Sequence, residues 1–336
     1  MSTTSEPVIS VVIPTFQRRD LVARALDSFS KQDLPPDRFE VIVSIDGSSD
    51  GTREMVEGFS SPYQLRSFWQ QNQGRARTCN AGIRAARGDI VVLLDDDMCA
   101  TPGFLSGHLN ARKTGERLAV IGAAPVQLGP DSSLVARYIG MGFNSRLKRF
   151  AQVGYKPSFK ETYTGNFSVR KQDFLRVGGF DEDFTIYGYE DYELALRLVN
   201  SGVRLVFSSQ ALAYQYYTKD FRSLAFDTID KGRTAVLFAS KYPEVLPDIR
   251  LSGYTQRSLL RRIFHALIFG ATMLSKGVSD AIIHFVNFQE RRHPATLNFY
   301  YMLALDYFFW LGARKELEKN RKSKKGLLSF HGEFAG

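Results

Sequence analysis

The sequence predicts an α/β fold, a mainly parallel sheet flanked by helices, with a helical C-terminal extension. Two observations carry the first part. Through the first hundred residues, short apolar runs alternate with segments of helical periodicity, the pattern of parallel strands joined by crossover helices. Dense turn signals separate them, above all Asp46-Gly47-Ser48-Ser49-Asp50-Gly51. A third observation carries the extension: after about Phe221 the chain turns to long aromatic and aliphatic helical stretches separated by basic pairs. The expected organisation is residues 1–220 as one α/β domain and 221–336 as a mostly helical region with a basic tail.

The elements follow in order. Val8 to Ile13 (VISVVI) reads as a buried strand stopped by Pro14, which cannot donate to a ladder. Leu21, Val22, Ala25, Leu26 and Phe29 recur at helical spacing. Phe39 to Ile45 is a second strand, Thr52 to Phe59 a helix, and Leu65 to Trp69 a third strand. Arg75 to Ala86 reads as a helix and Ile90 to Leu94 (IVVLL) as a fourth strand. From Ala100 to Thr164 no period is readable. Gly165 to Arg170 is strand-like, and Gln172 to Val177 a short helix. Glu190 to Ser201 carries Leu194, Ala195, Leu198 and Val199 on one stripe and is ended by Gly202. Arg204 to Phe207 is a last strand.

Composition narrows the class. The 336 residues are long enough for a substantial core. Two cysteines, Cys79 and Cys99, make neither a disulfide framework nor a structural zinc site. The five histidines (108, 265, 284, 293, 331) do not cluster in sequence. Met1 to Pro7 is polar and lacks an apolar leader core, so the expected location is cytoplasmic. The net charge of +9 is uneven: Arg314 to Lys325 holds seven basic and two acidic residues. That tail reads first as a solvated helix end, with anionic partners as the alternative and no nucleic acid expected. Ile263 to Ser275 has no charged residue but is too short to span a bilayer, and Ala295 to Ala313 carries one acid, Asp306. For the latter stretch, helical packing ranks ahead of in-plane contact with the cytoplasmic membrane face, and that ahead of a true span.

Chemistry concentrates where acids follow strands, because ligands of open α/β sheets bind beyond the strands' carboxyl ends. Asp46 directly follows the second strand. Asp95-Asp96-Asp97 directly follows the fourth. Three adjacent carboxylates repel one another, and a hard divalent cation, Mn²⁺ or Mg²⁺, would relieve that repulsion while bridging to a substrate phosphate. The bland alternative is an acidic turn capping the next helix. Glu190 and Asp191 open a predicted helix, where the macrodipole alone favours acids. The Gly- and aromatic-rich stretch before them (Gly178-Gly179-Phe180-Asp181 through Tyr187-Gly188-Tyr189) suggests a ligand loop instead.

Seven segments between Val11 and Leu198 carry a resemblance in order: VVIPTFQR, DGSSDGT, QGRARTCNAG, GDIVVLLDDD, GNFSVR, GGFDEDF and GYEDYELALRL. The chain resembles a family 2 glycosyltransferase of the GT-A fold, its later segments resembling a galactosyltransferase-type catalytic half. The resemblance implies that Pro14, Thr15, Arg18, Asp46 and Gly47 line a nucleotide pocket. Thr15 and Asp46 would meet base and ribose, Asp46 accepting from a uracil-type N–H, which favours UDP over GDP or dTDP. Arg77 would lie near base or diphosphate, and Asp96 beside the nucleotide. Asp95 would contact the ribose or the metal shell, and Asp97 would ligate the metal. Asp191 would be the catalytic base, with Glu190 orienting the acceptor. Base and leaving group on opposite faces imply inversion of the anomeric carbon. One departure is visible: where relatives carry a metal-binding His after the last strand, this chain reads Ala213-Tyr214-Gln215-Tyr216-Tyr217, leaving Gln215 or a water to take its place.

Other classes fit less well. A sugar nucleotidyltransferase wants a glycine-rich basic loop after the first strand, where this chain has PTFQRRD. Neither a GxxxxGK[ST] phosphate loop nor a GxGxxG after a strand is present. A degenerate, non-catalytic glycan- or nucleotide-binding module would be expected to have lost Asp95, Asp97 or Asp191, and all three remain.

Overall fold

A computed structural model describes residues 6–112, 116–254, 267, 270–272, 277–292 and 296–322. The chain divides into two compact units, Met1–Ser132 with Ile139–Thr185 and Glu190–Tyr217, and Ser133–Tyr138 with Ile186–Tyr189 and Thr218–Gly336.

The first unit holds one eight-stranded sheet in the order β3-β2-β1-β4-β7-β6-β8-β5. Its strands are β1 (Ile9–Thr15), β2 (Phe39–Asp46), β3 (Gln64–Gln70), β4 (Ile90–Leu94), β5 (Met98–Ala100), β6 (Leu118–Ala123), β7 (Asn166–Arg170) and β8 (Arg204–Gln215). β3, β2, β1 and β4 are parallel neighbours, β7 runs antiparallel to β4 and β6, β8 is parallel to β6, and β5 is antiparallel to β8. The helices are α1 (Arg19–Phe29), α2 (Thr52–Glu57), α3 (Arg75–Ala85), α4 (Phe104–Asn110), α5 (Leu134–Phe150, counted to this unit from Ile139 on), α6 (Lys171–Arg176) and α7 (Glu190–Asn200).

The near-continuous apolar strands are buried on both faces, as parallel strands under two helical layers must be. Ile9, Val11 and Ile13 pack with Val41, Val43, Ile45, Val92 and Leu94 against Val22, Leu26 and Phe29 of α1. The alternate residues Val12, Ile42, Val91 and Leu93 pack with Ala76, Cys79 and Ile83 of α3 and Leu194 and Leu198 of α7. Pro14 does not stop β1. The strand continues to Thr15 because pairing with β4 ends at Val12, so the missing proline N–H leaves no neighbour short, while β2 still runs alongside. The stretch with no readable period contains the end of β5, α4, β6, the whole of the 17-residue α5 and a single 3-10 turn at Phe159–Glu161. β8 outruns its predicted four residues, and its register against β6 shifts between Gly122 and Ala123.

The second unit contains α8 (Phe221–Lys241), α9 (Gly277–Arg292) and α10 (Leu297–Lys322). Phe221 stacks on Tyr301 at 5.2 Å between ring centres and meets Phe308 edge-on at 6.4 Å, and Phe309 and Trp310 are buried as well. Helices α8 and α10 cross closely through two glycines: a Cβ on Gly312 would strike the carbonyl of Ile229, and one on Gly232 the carbonyl of Phe309. The predicted stretch from Ala295 to Ala313 thus lies largely in α10, packed on α8, and its acid Asp306 pairs with Arg250. Among the described residues no helix is long and apolar enough to cross a membrane. Most of Ile263–Ser275, His265, His293, His331 and the tail beyond Lys322 lie outside the described residues.

Candidate active site

The parallel strands β1, β2 and β4 all end on one edge of the sheet, which is where the predicted site residues gather. Asp95, Asp96 and Asp97 form the tight link between β4 and β5, closed by Met98 N donating to the Asp95 carbonyl at 3.1 Å. This turn aims the three carboxylates in different directions. Asp96 turns back under β1, accepting from Thr15 Oγ1 at 2.8 Å and Arg18 Nη1 at 2.9 Å. Asp95 accepts from Arg75 Nη2 at 2.7 Å. Among the described residues, the Asp97 carboxylate meets the Gln215 amide at 3.3 Å and Arg18 at 3.8 Å. Geometry and two arginines thus relieve part of the repulsion that the sequence alone assigns to a cation, and Asp97 keeps the least compensated charge.

Electrostatics follow that pattern. Burial, then the neighbouring charges of Asp95 and Asp96, push the Asp97 carboxyl up to about 7. Burial raises Asp96 as well, against the pull of Arg18 and Thr15. Arg18 would lose basicity through burial, but Asp96 and Asp97 more than reverse this and hold it above its ordinary value. A buried carboxyl that tends to keep its proton is one whose charge lacks a partner, and a divalent cation among hard oxygen donors is a chemically suitable one. The donor set fits such an ion, with Asp95, Asp97 and the side-chain amide of Gln215 at hand. Among the described residues, however, no group of three His, Cys, Asp or Glu side chains stands ready around one point.

Asp46 ends β2 with its carboxylate buried and occupied. Oδ1 accepts from Gln70 Nε2 at 2.9 Å and Gln73 N at 3.0 Å, and Oδ2 from Gly74 N at 2.9 Å. Gly47 has φ +81°, and a Cβ there would lie 2.8 Å from Asn72 N, so only glycine allows the loop after β3 to lie against the end of β2. Pro14 lies in β1 one residue before Thr15. Two aromatics that sequence reasoning did not single out, Phe16 and Trp69, are exposed at the ends of β1 and β3.

Asp191 lies in the first turn of α7, its carboxylate accepting from the Thr164 hydroxyl and lying 3.8 Å from Arg75 Nη1. Burial raises its pKa, opposed by Arg75 and Thr164. Glu190 is buried beside it. Arg77 is not part of this group; it donates to Gln73 Oε1 at 3.0 Å and pairs with Glu182 at 3.2 Å. The guanidinium that meets the acids belongs to Arg75, two residues earlier, and its partner Thr164 was likewise unmarked. The available signal was spacing: on a helix, residues two apart point away from each other, so of the two arginines only one can face the sheet edge.

The model of glycosyl transferase family 2 matches residues 10–178, just over half of the chain. The chain belongs to that family. A model described as the N-terminal domain of galactosyltransferase matches residues 145–220. Among curated relatives of this family 2 chain, validoxylamine A glucosyltransferase of Streptomyces hygroscopicus subsp. limoneus is 30% identical over 272 residues, covering 74% of the chain and 60% of the relative. A Campylobacter jejuni GalNAc(5)-diNAcBac-PP-undecaprenol beta-1,3-glucosyltransferase is 32% identical over 189 residues, covering 55% and 57%. The chain therefore spans about 60% of the length of these relatives. Among solved structures, mannosyltransferase PcManGT from Pyrobaculum calidifontis, in complex with GDP-Man and Mn²⁺, superposes with a TM-score of 0.63 at 20% identity over 94% of this chain and 88% of that one. S. aureus TarS 1–349 in complex with UDP-GlcNAc gives 0.51 at 15% identity over 94% and 92%. These likenesses identify the fold as GT-A, the arrangement the sequence motifs implied. The chain is thus a family 2 member with the GT-A fold.

Proposed function

We propose that the chain transfers a hexose from a nucleoside-diphosphate sugar, UDP-linked in the first instance, to an acceptor hydroxyl, with a divalent metal and with inversion. The observation that carries this reading is the acid cluster at the end of β4 joined through Arg75 and Thr164 to Asp191 at the start of α7. Asp95 and Asp97 would hold Mn²⁺ or Mg²⁺, with Gln215 as the adjoining oxygen donor. When bound, such an ion offsets the charge that the departing diphosphate gains. Thr15, Pro14, Asp46 and Gly47 shape the nucleotide pocket, and Arg18 with Asp96 secures its floor. Asp191 takes the acceptor's proton as the hydroxyl attacks from the face opposite the leaving group; general-base help of this kind is worth about 10²–10⁴-fold. Glu190 orients the acceptor. Arg77, paired with Glu182, steadies the loop before α7 unless nucleotide draws it away.

Relatives and neighbours support the substrate class. Validoxylamine A and undecaprenol-linked glycans name acceptors of two relatives, and GDP-Man and UDP-GlcNAc are the donors bound in two structural neighbours. The acceptor proposed here is a glycan or a lipid-linked saccharide. Exposed Phe285 and Phe288 on α9 and Phe299 and Met302 on α10, beside Arg291 and Arg292, support a peripheral contact with an anionic membrane face.

The test is a screen of UDP-, GDP- and dTDP-sugars with Mn²⁺ or Mg²⁺ on the wild type, Asp97→Ala and Asp191→Asn. The expected result is metal-dependent binding lost in Asp97→Ala, and turnover lower by about 10²-fold or more with binding kept in Asp191→Asn. Binding of no nucleotide sugar, with or without metal, would leave a non-catalytic module as the reading. Retained anomeric configuration in the product would remove inversion.

A further inference from the structure

We propose that Arg75 is a positioning residue for transfer, a single guanidinium that carries the placement of the β4 acids across to the base Asp191. The inference rests on Asp191 acting as the base in the reaction proposed above. Arg75 is the first residue of α3, and its place is set from behind. The Asp46 carboxylate accepts from the backbone N–H groups of Gln73 and Gly74, the two residues before it. Gly74 itself has φ +91°, and a Cβ there would lie 2.8 Å from the Thr185 carbonyl. The helix start is therefore held on both sides, and the side chain leaves it in one direction.

That direction leads between two acids. Nη2 donates to Asp95 Oδ1 at 2.7 Å, and Nη1 donates to Thr164 Oγ1 at 3.0 Å. The Thr164 hydroxyl in turn donates to Asp191, which lies 3.8 Å from Nη1. Only 24% of the Arg75 side chain is exposed, and the Phe180 ring lies 5.9 Å from the guanidinium. A planar fork with fixed donor directions can hold two partners at a set separation, which a lysine ammonium cannot. The partners of the guanidinium are two acids and a hydroxyl, which makes its part in transfer one of placement. It orients the carboxylate that acts as base, and it keeps Asp191 from collapsing onto Thr164 alone or swinging to solvent.

The test uses the full chain and nucleoside-diphosphate release from UDP-glucose, UDP-N-acetylglucosamine and GDP-mannose with Mn²⁺, with binding of UDP–Mn²⁺ and GDP–Mn²⁺ read in parallel. For the donor that the wild type turns over, Arg75→Gln is expected to lower kcat by about 10²-fold while KM and the nucleotide Kd stay within about threefold. Arg75→Lys is expected to recover part of the loss, since an ammonium can satisfy one of the two acids. Arg75→Gln combined with Asp191→Asn is expected to be no slower than Asp191→Asn alone, because the two residues act in one chain of contacts. If Arg75→Gln does not fold, Thr164→Val removes only the intervening hydroxyl, and a fall confined to kcat is expected there too. An unchanged kcat in the variant that folds overturns the proposal. So does a loss confined to nucleotide affinity, which would assign Arg75 to the donor side through Asp95, or a loss that adds fully to that of Asp191→Asn. A wild type that turns over none of the three donors overturns the transferase reading itself, and the role of Arg75 falls with it.

Discussion

At Gly165 a hydrogen atom in place of a side chain decides where Asp95 sits. The Gly165 carbonyl accepts from Asp95 N at 2.9 Å, and a Cβ on Gly165 would overlap the Asp95 carboxylate. Gly165→Ala is therefore expected to fold, because the clash is with a side-chain end, yet to weaken Mn²⁺–nucleoside diphosphate binding by about tenfold or more, checked by calorimetry against wild type. The acids Asp95, Asp97 and Asp191 were legible in the sequence because charge beside a strand end or a glycine-rich loop needs a reason. Asp46 was legible as a site residue, but its three contacts to the loop of residues 70–74 were not, since those donors lie 24 to 28 positions away. Arg75 and Arg77 look alike in sequence. Only the direction in which α3 leaves Gly74 separates the one that meets Asp95 from the one that meets Glu182.

Within the sheet, one buried histidine ties several elements together. Asn166 of β7 donates through Nδ2 to the carbonyls of Ala123 and Ala211, each at 2.9 Å, so its Oδ1 accepts from His108 Nε2 at 2.9 Å. His108 Nδ1 is then the acceptor of the Ser168 hydroxyl at 2.9 Å, and Arg112 donates to that same oxygen at 2.7 Å. The network assigns a neutral ring protonated at Nε2 and joins α4 to β6, β7 and β8. Sequence reasoning left α4 unread because seven residues containing a glycine and a histidine show no stripe. In the second unit the comparable device is the pair Gly232 and Gly312, whose carbonyl contacts leave no room for a methyl group. Gly312→Ala is expected to lower stability by about 1–3 kcal/mol. Denaturant unfolding followed by Trp310 emission in a Trp69→Phe background checks it; an unchanged midpoint would show that the helices can separate freely.

For the molecule as a whole, His108 makes acid the weak direction. Burial, with Arg112 adding to it, lowers its pKa from 6.5 to about 3. The unfolded chain therefore binds a proton below 6.5 that the folded chain refuses. The contribution to stability is fully present above 6.5 and drains away as pH falls toward 3. Thermal melts are expected to show a loss of about 2 kcal/mol between pH 7 and pH 5 from this group, absent in His108→Gln. A parallel loss in both proteins would assign the acid sensitivity elsewhere. The exposed aromatic and basic face of α9 and α10 makes a separate forecast: co-sedimentation with vesicles containing anionic lipid, weakened by salt and by Phe288→Glu with Phe299→Glu, and no binding to neutral vesicles.

The order of strands and helices, the strand ends bearing acids, and the change of character near Phe221 follow from local pattern: periodicity, turn chemistry and charge act over a few residues, and a sequence displays them directly. Family membership was legible for the same reason, because its motifs are short and stay in order. What only the tertiary structure decided is which side chains share a space. β4, α3, β7 and α7 are distant in sequence, yet Asp95, Arg75, Thr164 and Asp191 form one connected line. The splaying of Asp95, Asp96 and Asp97 by a turn, the continuation of β1 through Pro14 and the neutral state of His108 belong to the same class. Each depends on which partner is absent or present within about 3 Å across the fold, the distance at which a hydrogen bond is made or lost.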